Sequence, residues 1–173
     1  MNKREKLVLL HANDLHGDFL PEVTADGTLK GGLALMSGYI HKVKEGEPNT
    51  LFAIAGDMFH GSVIDSEYRG FSTIALMNFF GPDIATIGNH EVDYGLAHLL
   101  FLEKCARFPI VNANMYITTN HTRLFNPYKI INVNGLNVLF IGIITEEVLE
   151  ATRNEDIIGT FVDVWEAARQ VGV

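Results

Sequence analysis

The sequence predicts an α/β fold with a mixed sheet, and three observations carry that expectation. Short aliphatic runs at 7–10, 51–55 and 83–87 alternate with stretches of helical periodicity, the pattern of strand–helix–strand units. Each run closes on a small polar cluster: Asp14-Leu15-His16, Gly56-Asp57, and Gly88-Asn89-His90-Glu91. Beyond residue 110 the character changes, with apolar stretches at 128–133 and 136–144 flanking Asn134-Gly135, the strongest short-range hairpin signal.

Residues 7–10 read as the first buried strand. After a loop with Pro21 and Gly27, apolar positions recur at helical spacing from Leu33 to Val43, and Glu45-Gly46-Glu47-Pro48 ends that helix with glycine ahead of proline. Residues 51–55 form the second buried strand. A second helix spans 70–80 and stops at Gly81-Pro82; the third strand follows at 83–87. A third helix spans 96–107, closed by Pro109, and Ile110-Val111 begins a further strand. The tail at 161–171, with Trp165, Ala167, Ala168 and Val171, opens an amphipathic helix. Phe71, Phe79, Phe80 and Phe101 fall on these helices and are assigned to the core rather than to base stacking. No internal repeat, linker or low-complexity segment interrupts the chain.

A chain of 173 residues with 47% apolar composition can bury one domain's core. A net charge of −8 argues against a nucleic-acid surface, which needs a basic stripe. It leaves a phosphorylated substrate open, because bound cations reverse the local sign of an acidic site. The single cysteine, Cys105, lies in an apolar stretch and is assigned as a buried structural thiol. No run reaches the ~18–20 apolar residues of a membrane span. Lysines and arginine ahead of residues 7–10 imitate a signal peptide, but the apolar core is too short, so a cytoplasmic chain is expected.

Asp14 and His16 stand two apart, and on an extended backbone both face one side. A carboxylate oxygen beside an imidazole nitrogen suits zinc, manganese or iron. Asp57 follows a strand and a glycine, and its two oxygens could bridge two ions. Asn89 offers a neutral carbonyl, leaving His90 free for chemistry. Singly, Asp14 and Gly56-Asp57 each read as turns, and Asn89 as a loop residue in left-handed geometry. Three consecutive strand ends delivering metal-compatible side chains to one sheet edge favour the metal reading, since ligands in open α/β sheets sit there. His60, three residues past Asp57, is a candidate for the pocket mouth.

The segments His11-Ala12-Asn13-Asp14-Leu15-His16-Gly17, Ala55-Gly56-Asp57 and Gly88-Asn89-His90-Glu91-Val92-Asp93-Tyr94-Gly95 resemble the first motifs of the calcineurin-like metallophosphoesterases. Their flanks, with Val111-Asn112-Ala113-Asn114-Met115, resemble the 5′-nucleotidase and 2′,3′-cyclic phosphodiesterase branch. The resemblance implies a four-layer sandwich of two mixed β-sheets flanked by helices. It implies two divalent transition-metal ions (manganese, zinc, iron or cobalt), with Asp14 and His16 on the first, Asp57 bridging and Asn89 on the second. His90 would contact the phosphate, and Glu91 and Asp93 would support the ligands. The implied reaction is in-line attack by a metal-bridging hydroxide on a nucleotide phosphate, between ions about 3.5–4 Å apart.

The family pattern also includes a later Gly-His and a Gly-His-x-His, neither of which occurs here. The resemblance therefore implies that residues 1–173 are the amino-terminal part of the catalytic domain, without the last histidine ligands and the carboxy-terminal nucleotide-binding domain. An uncovered second sheet is expected to favour self-association, or a complementary fragment burying Trp165 and Val138. Two rival readings stand beside the hydrolase: a non-catalytic binding or assembly module on the same fold, and an unrelated α/β domain whose Asp and His residues close turns.

Overall fold

The computed structural model describes residues 4–147, 149, 158–160 and 164–171. Its centre is a parallel sheet of β1 (Val8–Ala12), β4 (Thr50–Ile54), β5 (Ile84–Thr86) and β6 (Ile110–Val111), in the order β1-β4-β5-β6. Val8 pairs with Thr50, Ala53 with Ile84 and Ala85 with Ile110. The crossovers carry α1 (Leu33–Gly46), then α2 (Val63–Glu67) with α3 (Phe71–Phe80), then α4 (Leu96–Cys105). Antiparallel pairs complete the described residues: β2 (Glu22–Val23) with β3 (Leu29–Lys30), β7 (Met115–Ile117) with β10 (Ile158–Thr160), and β8 (Tyr128–Val133) with β9 (Leu136–Ile141). The protein is therefore α/β, as its alternating pattern predicts.

Local chemistry explains most boundaries. α1 runs to Gly46, and the Glu47 N–H closes on Val43 O at 2.8 Å ahead of Pro48. α3 ends on Gly81 in the left-handed region at φ 57°, its N–H bonded to Met77 O. The β8–β9 turn is built by Asn134 (φ 50°) and Gly135 (φ 91°), the paired positive φ of a type I′ hairpin. Asn112 and Asn114 fasten the turn from β6 into β7. Asn112 Oδ1 accepts the Asn114 and Met115 N–H groups, and the Asn114 amide takes both the N–H and the C=O of Ile144.

The core lies between the parallel sheet and the α3–α4 layer. Phe52, Ile54, Met58, Phe59, Ile74 and Leu99 are among its fully buried members. β4 is buried along nearly its whole length, whereas β1 is not: Leu9 is 49% exposed, and Leu7 just ahead of the strand 40%. The expected burial of the first strand fails because only one face of β1, that of Leu10 and Ala12, meets the core.

Three of the four helix phenylalanines expected in the core lie outside it. Phe80 is buried, but Phe71, Phe79 and Phe101 are exposed. α3 turns Thr73, Ile74, Met77 and Phe80 inward, and α4 turns Leu96, Leu99 and Leu102 inward. At 3.6 residues per turn, the other aromatics fall on the outer faces. Cys105 is half-buried rather than buried. α4 also stops two residues short of the predicted end. The Asn78 side chain of α3 donates to Cys105 O at 2.9 Å and accepts the Arg107 N–H at 2.7 Å, drawing the chain out of the helix. The tail helix appears as α5 (Val164–Gln170); residues 161–163 and the Trp165 side chain lie outside the described residues.

The loops after β4 and β5 touch backbone to backbone. Gly56 has φ 91°, and a Cβ there would stand 2.6 Å from Gly88 N. Gly56→Ala is expected to cost about 2–5 kcal/mol, from left-handed strain plus overpacking. Urea unfolding measures it, and a loss below ~1 kcal/mol would show that the two loops can part without penalty.

Candidate metal centre

Three loops leave the carboxyl ends of β1, β4 and β5 and meet at one edge of the sheet. The first two are sewn together by backbone bonds, Asp14 N–H to Gly56 O, His16 N–H to Asp57 O, and Gly17 N–H to Met58 O, and the third joins through the His90 N–H on Asp57 Oδ1. The meeting brings one ligand atom each from Asp14, His16 and Asp57 within 4.8 Å of one another. Asp14 Oδ1 lies 3.7 Å from His16 Nε2.

The backbone does not get there as an extended strand. β1 ends at Ala12, and Asp14 (φ 53°), His16 (φ 47°) and Asp57 (φ 53°) are all left-handed. Asp14 and His16 therefore share a side not through extended i, i+2 alternation but through two left-handed turns held by the neighbouring loop. Such residues cost energy and persist where surrounding structure over-determines them, above all at functional sites.

His16 has a defined tautomer. Its Nδ1 faces two carbonyl oxygens, Phe59 O at 3.1 Å and His60 O at 3.0 Å. Carbonyls only accept, so Nδ1 carries the proton and the Nε2 lone pair is turned toward the carboxylates. This is the outer support that orients metal-binding imidazoles. Carboxylate oxygens with an aligned imidazole nitrogen fit a divalent transition metal.

Glu91 organises the floor beneath this cluster. It is fully buried, and its carboxylate accepts the N–H groups of Asp57 (2.9 Å), Met58 (2.6 Å) and Gly88 (2.6 Å). Burial pushes its pKa up to about 7, against the pull of those donors. Asp57 Oδ1 in turn accepts the His90 N–H at 3.1 Å. Asn89 begins the short 3-10 turn His90–Val92, with its carbonyl accepting the Val92 N–H.

His90 stands beside the first cluster, its ring edge-on to His16 with centroids 5.1 Å apart. Its Nδ1 is 2.7 Å from Asp93 Oδ2, and His60 Nδ1 reaches the same oxygen at 2.9 Å. Burial alone would depress the His90 imidazole. The hydrogen bond and charge of Asp93, with Asp57 and Glu91 behind it, outweigh that and hold His90 above the ordinary imidazole range.

One supporting residue is absent from the sequence-based candidates, and a second is only partly placed by them. Asp65 is completely buried, accepting the His60 N–H at 2.6 Å and the Thr73 hydroxyl. Its own N–H is capped by Ser62 Oγ. The Ser62-x-x-Asp65 spacing, a helix-start signature, is the signal that could have found it. His60 is the second: its distance from Asp57 placed it near the site, but not on Asp93. Beside Asp14 and His16 opens a cavity of about 660 Å3, lined also by Asp18, Leu33, Met36 and Tyr39. No helix among the described residues is long and apolar enough to cross a membrane.

The sequence profile described as calcineurin-like phosphoesterase matches residues 7–166. A 5′-nucleotidase of Rattus norvegicus is 31% identical over 158 residues, covering 84% of this chain and 27% of its own length. A snake venom 5′-nucleotidase of Gloydius brevicauda is 36% identical over 152 residues, covering 82% of this chain and 26% of its own length. The solved structure of a 5′-nucleotidase precursor from Thermus thermophilus superposes with a TM-score of 0.84 at 30% identity, covering 95% of this chain and 33% of that one. The chain thus spans about a quarter to a third of the length of these relatives.

Proposed function

We propose that this chain, which belongs to the calcineurin-like phosphoesterase family, is the amino-terminal part of a metal-dependent hydrolase acting on nucleotide phosphate esters. The observation that carries the reading is the cluster of Asp14, His16 and Asp57, with His16 Nε2 freed by the carbonyls on its Nδ1. These three residues and Asn89 would hold divalent ions. Bound there, the ions would supply the positive charge that orients phosphoryl oxygens and makes water a better nucleophile at neutral pH.

The chain's own groups do the rest. Asp93 takes the Nδ1–H of His90, so His90 Nε2 is the ring atom left to meet a phosphoryl oxygen. Glu91 keeps the Asp57 and Gly88 backbones at a fixed separation. The cavity beside Asp14 and His16 has room for the organic part of an ester. The names of the similar 5′-nucleotidases support a nucleotide as that ester.

Equilibrium dialysis against manganese or zinc, followed by hydrolysis of AMP and of a chromogenic phosphodiester, tests the proposal. The expected result is at least one tightly held ion per chain, with hydrolysis abolished by chelator and restored by manganese. Substoichiometric metal without turnover would point instead to a binding or assembly module. In the active protein, His90→Ala is expected to lower turnover about 10²–10⁴-fold with metal content unchanged. Parallel loss of metal and rate would mean that His90 is a ligand and not a phosphate contact.

A further inference from the structure

We propose that His60 is a positioning residue for His90, an inference that rests on the phosphoesterase reading above. Both Nδ1 atoms converge on Asp93 Oδ2, at 2.9 Å from His60 and 2.7 Å from His90. The two rings stack, with centroids 5.0 Å apart and planes 23° from parallel. His90 is thus held on one edge by a carboxylate and on one face by a second imidazole, while His16 meets it edge-on at 70°. A ring so bounded cannot flip to exchange its nitrogens without breaking the Asp93 bond and the stack together. Asp93 is steadied likewise, because its Oδ2 bonds His90 Nδ1 and lies 2.9 Å from His60 Nδ1, so rotation of the carboxylate would give up both contacts.

His60 is itself pinned. Its backbone is left-handed at φ 66°, and its N–H is clamped by the buried Asp65 carboxylate. Its carbonyl accepts from His16 Nδ1 at 3.0 Å. The next residue is Gly61, where any Cβ would run into the His16 carbonyl. One short loop therefore sets the tautomer of His16 through its backbone and the plane of His90 through its side chain. The His60 side chain is 54% exposed, so core packing does not account for a bulky residue in a strained conformation at this place.

The test uses the full chain with 15N-labelled histidine and two variants that both tolerate a left-handed backbone, His60→Gly and His60→Asn. At a pH high enough to leave His90 neutral, its imidazole nitrogen spectrum in the wild-type protein is expected to show the Nδ1-protonated tautomer. His60→Gly should mix the His90 tautomers and lower kcat about tenfold, with KM and metal content unchanged. His60→Asn, whose amide reaches where Nδ1 stands, should recover part of both signals. An unchanged His90 spectrum and kcat in His60→Gly would overturn the proposal, and so would His60→Asn performing no better than His60→Gly. If the wild-type protein neither binds metal nor hydrolyses phosphate esters, the phosphoesterase reading falls. The nitrogen spectra would then decide the His60–His90 contact on their own.

Discussion

Glu91→Ala is expected to lower the thermal midpoint by about 6–20 °C, equivalent to ~3–5 kcal/mol for a chain of this size. Its carboxylate is the shared acceptor for the N–H groups of Asp57, Met58 and Gly88. Truncation leaves three donors, that of Met58 buried and those of Asp57 and Gly88 part-buried, and each orphaned buried donor costs about 1–3 kcal/mol. The loss is large against the ~5–15 kcal/mol that an ordinary domain has in hand. Glu91→Gln separates charge from geometry. One amide oxygen can serve the Asp57 and Gly88 N–H groups, but the amide nitrogen then faces the Met58 N–H, donor against donor. A loss of about 1–3 kcal/mol is expected for Gln, between wild type and Ala. Scanning calorimetry of the three proteins checks the order. An Ala variant that melts with the wild type would mean that water or a rearranged backbone satisfies these donors.

Glu91 also marks where the sequence was legible and where it was not. The strands, the major helices and the Asn134-Gly135 hairpin are local signals: hydrophobic period, glycine and proline punctuation, and positive-φ turn chemistry. The structure reproduces them to within a few residues. Which faces of a sheet are covered is not local, so the exposure of Leu7 and Leu9 could not be read from an aliphatic run that resembles residues 51–55. The end of α4 depends on Asn78, a residue 27 positions away from Cys105 in sequence. The five-residue α2 is too short to reveal a period.

The candidate site divides along the same line. Residue types at the ends of β1, β4 and β5 marked Asp14, His16, Asp57, Asn89 and His90 as candidates. The conformations that bring three of them together were invisible, because left-handed φ at Asp14, His16 and Asp57 is imposed by neighbouring loops and not by the residues themselves. Proximity of His60 to Asp93 is a tertiary fact for the same reason. It depends on Asp65, which clamps the His60 N–H and which only the Ser62-x-x-Asp65 spacing hints at.

The left-handed backbone at Asp57 makes possible the cleanest test of the metal reading. Asp57→Asn is expected to weaken manganese or zinc affinity at least ~100-fold, beyond the range for losing an outer-shell partner, while the fold stays intact. Asparagine is among the few side chains that accept φ near +53° without added strain. Its Oδ1 can still accept the His90 N–H, as Asp57 Oδ1 does at 3.1 Å. What disappears is the negative charge and one oxygen donor at the point where Asp14 and His16 also arrive. Titration calorimetry with metal, read beside the thermal midpoint without metal, separates ligation from folding. If affinity holds while the midpoint falls, Asp57 serves the loop and not an ion, and the three-residue cluster is only a turn stabilised by its own hydrogen bonds. If affinity falls with the midpoint unmoved, the cost of holding Asp57 in a disfavoured conformation is explained by the charge it presents.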